Sequence, residues 1–383
     1  MKPTVVDLFC GAGGLSFGFE MAGFNVVAAL DFDPVAAETY RRQNPSVPLL
    51  VDDVANVSGK QLKRIAGCEV DLVIGGPSCQ GFSTHGKRDP NDPRNFLFHH
   101  FVRIVDELRP KWVVMENVRG LLTYDRGRYR NEIHDALKRI GYFVDSKILR
   151  AVDFGVPQMR ERVFFIASRV CSRLDFPAPT HCPPELALLT GLKPYVTVRD
   201  AIGDLPCVGE EGEASRYATR PQTDFQRYSR RRVRTKLTLH EARRVSDRAM
   251  SLISRIPQGA GLRAIPPEHL PDRFKRMRTI STGELRRDCT TLYHRLAWDK
   301  PAYTITCYFT NVSSGPFVHP AENRAITARE AARLQSFPDD YKFCDAQLPR
   351  QIGNAVPPLL SFAVARAVLC QFENSVSGSA IAV

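Results

Sequence analysis

The ten cysteines are scattered along 383 residues without one C-x-x-C pair, so the chain shows neither the ligand spacing of a zinc site nor the framework of a disulfide-stapled secreted domain. No apolar run approaches the roughly 20 residues that span a bilayer. The short stretch Thr4-Val5-Val6-Asp7-Leu8-Phe9 has neither the length nor the flanks of a secretory signal. There is no internal repeat and no low-complexity tail. These absences lead to the expectation of a cytoplasmic protein in a reducing compartment, with no bound metal and no membrane contact. What is present is ordinary for a globular chain: 43% hydrophobic residues and 25% charged ones, in a length that suits two domains or one domain with a large insertion.

The net charge of +12 is unevenly placed. Between Arg220 and Arg295 lie nineteen Lys and Arg against seven Asp and Glu, which accounts for the entire excess. Such a run is often only a solvated face. A local, arginine-rich excess of this size is also the electrostatic footprint of a phosphate-binding surface, and points to nucleic acid as the partner.

Ahead of that tract, strand and helix signals alternate. Val5 to Phe9, Val26 to Leu30, Val70 to Ile74, Trp112 to Met115 and Val163 to Ala167 read as strands. Leu15 to Ala22, Pro34 to Asn44, Asn95 to Leu108 and Arg130 to Ile140 read as helices, with Asp33 as an N-cap. The alternation predicts an α/β fold with a parallel sheet covered on both faces. From about Val170, proline clusters and the arginine tract break the pattern. Order returns with a strand near Ala302 to Tyr308 and helices at Thr327 to Ser336 and Pro358 to Phe372. The expected division is therefore residues 1–170, a smaller irregular domain over 171–292, and a C-terminal segment 293–383.

Chemistry concentrates where strands end. Cys79, in Gly75-Gly76-Pro77-Ser78-Cys79-Gln80-Gly81, follows a buried strand and sets a thiol at the edge where open α/β sheets hold ligands. Glu116 follows the next strand and emerges at the same edge; the alternative is an N-cap or surface carboxylate. Arg160 and Arg162 alternate before a further strand and share a face, as salt-bridged strand flanks also would. Gly11, Gly13 and Gly14 open the first helix, and Asp31-Phe32 ends the second strand, where an acid bonds ribose and an aromatic ring stacks on adenine. The glycine loop lacks the G-x-G-x-x-G spacing of a pyrophosphate binder. A nucleoside ligand without phosphates, such as S-adenosylmethionine, fits.

Taken together, these motifs resemble those of the DNA (cytosine-5)-methyltransferases of bacterial restriction-modification systems. The order is the family's: Asp7-Leu8-Phe9-x-Gly11-x-Gly13-Gly14, Asp31, Asp53-Val54, Gly76-Pro77-Ser78-Cys79-Gln80, Glu116-Asn117-Val118, Gln158-x-Arg160-x-Arg162, Arg329-Glu330-x-Ala332-Arg333-Leu334-Gln335-x-Phe337-Pro338 and Gln351-x-Gly353-Asn354-x-Val356-Pro357. Asp31 stands where glutamate is usual, and Ser78 where proline is commoner. The resemblance implies a Rossmann-like methyltransferase fold with a separate target-recognition domain. It implies that Phe9, Gly11 and Gly14 line the pocket for S-adenosylmethionine, that Asp31 holds the ribose, and that Phe32 and Val54 flank the adenine. Asp53 would take the adenine amino group and Pro77 would support the donor. Asn354 and Val356 would return to close the pocket.

It further implies that Cys79 attacks carbon 6 of cytosine, its thiolate favoured by nearby Arg160 and Arg162, that Glu116 donates a hydrogen bond or proton at ring N3, and that Arg162 meets the charge at O2. The target base must leave the duplex stack to be reached. The basic segment, including Arg230, Arg231 and Arg232, would then grip duplex DNA, with Gln80 and Ser83 on the DNA side and Ser83 to Asn95 as a loop over the flipped base. The implied setting is a cytoplasmic, nucleoid-associated monomer whose methylation blocks a cognate restriction endonuclease. Two other classes stay open: a transfer-RNA cytosine-5 methyltransferase, and a DNA-binding module without activity, which would have no use for Cys79, Glu116 and Arg162 together.

Overall fold

The computed structural model describes residues 2–77, 96–233, 236–275 and 291–378. Seven strands build the central sheet: β1 (Thr4–Leu8), β2 (Asn25–Asp31), β3 (Leu49–Val51), β4 (Leu72–Gly75), β5 (Trp112–Val118), β6 (Phe143–Arg150) and β7 (Glu161–Ser168). Their order is β3-β2-β1-β4-β5-β7-β6. The central strands are buried on both faces, as near-continuous apolar runs such as Trp112-Val113-Val114-Met115 require.

The sheet is mixed rather than parallel. β7 runs antiparallel to both neighbours, β5 and β6. The cause is the hairpin-like return from β6 through the turn Ala151–Phe154, since strands joined by a short connection must pair antiparallel. β6 itself escaped the sequence reading because its burial alternates along an edge, with Phe143 exposed and Val144 buried. The short edge strand β3 was missed as well.

Helices cover both faces. On one lie α3 (Gly59–Ala66), α4 (Leu97–Leu108) and α5 (Arg128–Arg139), packed through Leu62, Phe101 and Ile133. On the other lies α1 (Gly14–Ala22), against the C-terminal helix α8 (Pro358–Gly378). That approach is close: a Cβ on Gly18 would sit 2.4 Å from the Cβ of Ser361. The remaining helices used below are α2 (Pro34–Gln43), α6 (Ala328–Leu334) and α7 (Leu348–Asn354). The stretch Leu348–Asn374 has the length and apolarity to cross a membrane, contrary to the sequence expectation. Half of its most apolar part is buried inside the protein, where Leu360, Val364 and Val368 join the core beneath β1 and β4.

The irregular middle does not form one separate core. Val198, Ile202, Phe225 and Leu237 pack with Phe337, Ile352 and Phe17 from either end of the chain. A second cluster unites Leu252, Ile256 and Leu262 with Val312, Val318 and Ala325, drawing on both sides of Leu292. Buried ion pairs bind the two parts together. Arg333 of α6 joins Asp204 and, at 2.7 Å, Asp339, while Arg329 donates to the Thr238 carbonyl at 3.0 Å. Uncompensated, such buried charges would be strongly destabilising; paired, they fix one arrangement of the middle segment against the C-terminal segment.

Candidate active site

The carboxyl ends of β1, β2, β4 and β5 open into a cleft of about 980 Å³. One end is built by the glycine loop. Phe9 and Gly11 both have left-handed backbones (φ 60° and 54°), and nothing lies within 4 Å of the position a Gly11 Cβ would take. The loop is tied to β2 by Asp31, whose Oδ2 accepts from Gly11 N at 2.7 Å and whose Oδ1 accepts from Asp33 N at 2.8 Å. Burial raises the Asp31 carboxyl above its usual range, against the pull of those backbone donors.

Beside it Phe32 presents its ring to the cleft, 60% exposed although aromatic. Asp53 caps a short turn through Ala55 N at 2.9 Å, and Val54 is buried behind it. The far wall comes from the C-terminal segment: Asn354 is exposed at the end of α7, and Val356 follows.

Deeper in the cleft the ends of β4 and β5 are locked together. Asn117 Nδ2 donates to the Pro77 carbonyl at 3.0 Å. A Cβ on Gly76 would meet Glu116 Oε2 at 3.0 Å, so the chain leading to Cys79 passes directly over the Glu116 carboxylate. Cys79, Gln80, Ser83 and the segment Ser83 to Asn95 lie outside the described residues. Glu116, the fifth residue of β5, is only 8% exposed, and its Oε1 is 2.9 Å from Arg162 Nε. Burial pushes its carboxyl upward; Arg162 and Arg160 oppose this, and the net direction is up. Burial thus favours the protonated form of this carboxyl more than at an exposed glutamate.

Arg160 takes a different place. Its guanidinium is buried and donates to the Ile305 carbonyl at 2.9 Å and to the Gly353 and Ala355 carbonyls at 3.1 Å each. These bonds hold segment 304–307 and the end of α7 in the cleft wall, which Arg160 itself also lines. Gln158 assists, accepting from Ile305 N at 3.0 Å and donating to the Leu334 carbonyl at 2.8 Å. Thr304, Cys307 and Tyr308 thereby line the cleft. The sequence reading placed a strand near Ala302 to Tyr308 without assigning it a site role. Only Ala302–Tyr303 pairs as strand, with Gln158–Met159.

The three arginines expected on the DNA side also part company. Arg230 turns inward, 3.2 Å from Asp204 and stacked on Tyr217 at 3.7 Å. Arg231 and Arg232 are exposed. Among the described residues no group of three or more His, Cys, Asp or Glu is arranged to hold a metal ion.

Comparison with known proteins gives one answer. Residues 3–370 match the family of C-5 cytosine-specific DNA methylases. The type II methyltransferase M.DdeI of Desulfomicrobium norvegicum is 38% identical over 97% of this chain and 89% of its own length. M1.HphI of Haemophilus parahaemolyticus, also a type II methyltransferase, is 39% identical over 98% of this chain and 88% of its own. Among solved structures, a DNA modification methyltransferase encoded within a prophage of E. coli superposes with a TM-score of 0.73 at 26% identity, covering 97% of this chain and all (100%) of that one.

Proposed function

The chain belongs to the family of C-5 cytosine-specific DNA methylases, and from that premise we propose how its cleft methylates cytosine in duplex DNA and which residues do so. The protein is a DNA (cytosine-5)-methyltransferase of the restriction-modification type, and its family uses S-adenosylmethionine. The residues present fit that donor. The open space at Gly11, the fixed carboxylate of Asp31 and the exposed ring of Phe32 form a cradle for a nucleoside without phosphates. Asp31 would hold the ribose through lone pairs left over from its backbone bonds, Phe32 and Val54 the adenine faces, and Asp53 its amino group. Phe9, Gly14, Pro77, Asn354 and Val356 would enclose the rest.

Cytosine carbon 5 is too weak a nucleophile to be methylated directly. Cys79, as thiolate, would add to carbon 6; Glu116 would place its proton at N3, and Arg162, already aligned by Glu116, would meet the charge growing at O2. Bound S-adenosylmethionine supplies the electrophilic methyl group that carbon 5 then takes up. Loss of the carbon-5 proton and departure of Cys79 restore the aromatic ring. A thiol suits this because it both attacks and leaves well. The observation that carries the reading is the buried Glu116–Arg162 pair lying directly under the chain that leads from β4 to Cys79.

Residues 171–292, with Arg231 and Arg232 on their surface, would contact phosphates and read base edges, with Gln80 and Ser83 facing the DNA from the catalytic side. The enzyme would act as a cytoplasmic, nucleoid-associated monomer, its product shielding the site from a cognate endonuclease. The test uses labelled S-adenosylmethionine with duplex DNA and with transfer RNA, followed by a 5-fluorocytosine duplex. Methylation of DNA, with a denaturation-stable adduct that Cys79→Ala abolishes while DNA binding persists, is expected. Activity of that variant within tenfold of the parent removes Cys79 as nucleophile; preference for transfer RNA overturns the substrate.

A further inference from the structure

A second set of arginines lies outside the basic tract, on the segment that follows β5, and the first of them, Arg119, lines the cleft. Residues 119–130 carry four arginines and one aspartate. They begin where β5 ends, one position beyond Val118, so they leave the sheet at the edge that holds Glu116. Arg119, Gly120 and Thr123 line the cleft itself. The segment is pinned from below. Leu121 and Tyr129 are buried in the core, and Leu122 and Tyr124 pack against it. What stays outside is charge: Arg119, Arg126, Arg128 and Arg130 are all exposed.

The backbone between the anchors is strained. Asp125 (φ 47°) and Arg126 (φ 55°) both adopt the left-handed conformation, followed by Gly127 at φ 84°. Two successive non-glycine residues there cost on the order of 1–3 kcal/mol each, and such geometry concentrates where a side chain must be aimed. Glycine or asparagine would relieve it, yet the sequence has arginine.

The partners of these arginines differ. Arg119 pairs with Glu161 at 2.6 Å, and Arg128 with Glu132 at 2.7 Å. Arg126 has no carboxylate partner among the described residues. An exposed cation on a turn anchored by Leu121 and Tyr129, without a carboxylate partner among the described residues and three positions from cleft-lining Thr123, is arranged for an anion from outside the protein.

We propose that Arg126 takes a backbone phosphate of the DNA next to the target cytosine, with Arg119 beside it on the same wall, so that the duplex is gripped from the catalytic side as well as by Arg231 and Arg232. This rests on the duplex-DNA reading. That reading is tested separately by methyl transfer from the parent enzyme, whose loss of DNA substrate would be seen before any variant is made.

The experiment measures DNA affinity of the full-length protein against salt for the parent, Arg126→Gly, Arg126→Asn and Arg139→Gln. Each phosphate contact contributes about −0.9 to the slope of log affinity against log salt. Both Arg126 variants should flatten the slope by about that amount, equally for cognate and unrelated duplexes, with cofactor affinity unchanged. Arg126→Gly should melt no lower than the parent, because it removes strain along with the charge. Arg139→Gln removes the same charge at the far end of α5 and should leave the slope alone. An unchanged slope in both Arg126 variants, or the same flattening in Arg139→Gln, overturns the proposal.

Discussion

A Cβ placed on Gly14 would lie 2.3 Å from the carbonyl oxygen of Val356, so the first residue of α1 and the chain just before α8 touch through bare backbone. The cleft proposed to hold the cofactor is therefore closed by two segments from opposite ends of the sequence, at a spacing that leaves no room for a Cβ at Gly14.

Gly14→Ala and Gly11→Ala should consequently fail in different ways. Gly14→Ala forces backbone apart, costing about 1–3 kcal/mol in stability, so its melting temperature and its affinity for S-adenosylmethionine should fall together. At Gly11 there is open space, and the left-handed backbone alone costs about 1 kcal/mol; cofactor affinity should drop with little loss of stability. Calorimetric melting and cofactor titration of the two variants separate these outcomes.

In the proposed mechanism Glu116 donates at N3 and must be protonated to do so; burial raises its carboxyl above the ordinary range. The rate should therefore decline as pH rises through that raised value, giving an alkaline limb, while the need for the Cys79 thiolate sets the acid limb. Glu116→Gln keeps a donor but cannot pass on a proton. Its rate should fall about 10²-fold or more, and the alkaline limb should vanish from its pH profile. An unaltered limb would assign it to another group.

Asp7, the fourth residue of β1, is fully buried with Ser16 as its hydrogen-bond donor, and burial pushes its carboxyl up to about 8 from 3.8. The folded protein thus holds this proton more tightly than the unfolded chain. Its stabilising contribution is complete below pH 3.8 and is lost as pH rises through about 8. Over that window the slope approaches roughly 1.4 kcal/mol per pH unit. Asp7→Asn removes the proton linkage, so denaturation of parent and variant should diverge with rising pH, to the variant's advantage. Parallel curves would show that Asp7 ionises alike in both states.

Arg230 and its two neighbours should respond differently to neutralisation. Arg231→Gln with Arg232→Gln should flatten the salt dependence of DNA binding and leave stability nearly unchanged, since both side chains are exposed. Arg230→Gln strands buried Asp204 without one of its partners and should lower the melting temperature instead. A flattened salt slope with normal stability for Arg230→Gln would place its guanidinium on the DNA.

Much of this protein was legible in the sequence because its determinants are local. Buried β-branched runs specify β1, β2, β4 and β5 in place, Asp33 and Pro34 start α2 as expected, and the proposed catalytic and cofactor residues sit near strand ends, where their spacing is fixed by the strands they adjoin. For that reason the sequence could place Glu116, Arg162 and Asp31 at one cleft, where the structure has them. What the linear order could not decide was how distant segments meet. The antiparallel course of β7 depends on pairing with β6, whose alternating pattern is that of a half-exposed edge and carries a weak signal. Arg160 and Arg162 look equivalent two residues apart, yet one meets the backbone of residues 305, 353 and 355 and the other meets Glu116. Likewise Arg230 is drawn inward by Asp204 while Arg231 and Arg232 remain outside. Charge and periodicity are properties of a segment, but the partner that buries a guanidinium comes from elsewhere in the chain, and only the tertiary structure brings it there.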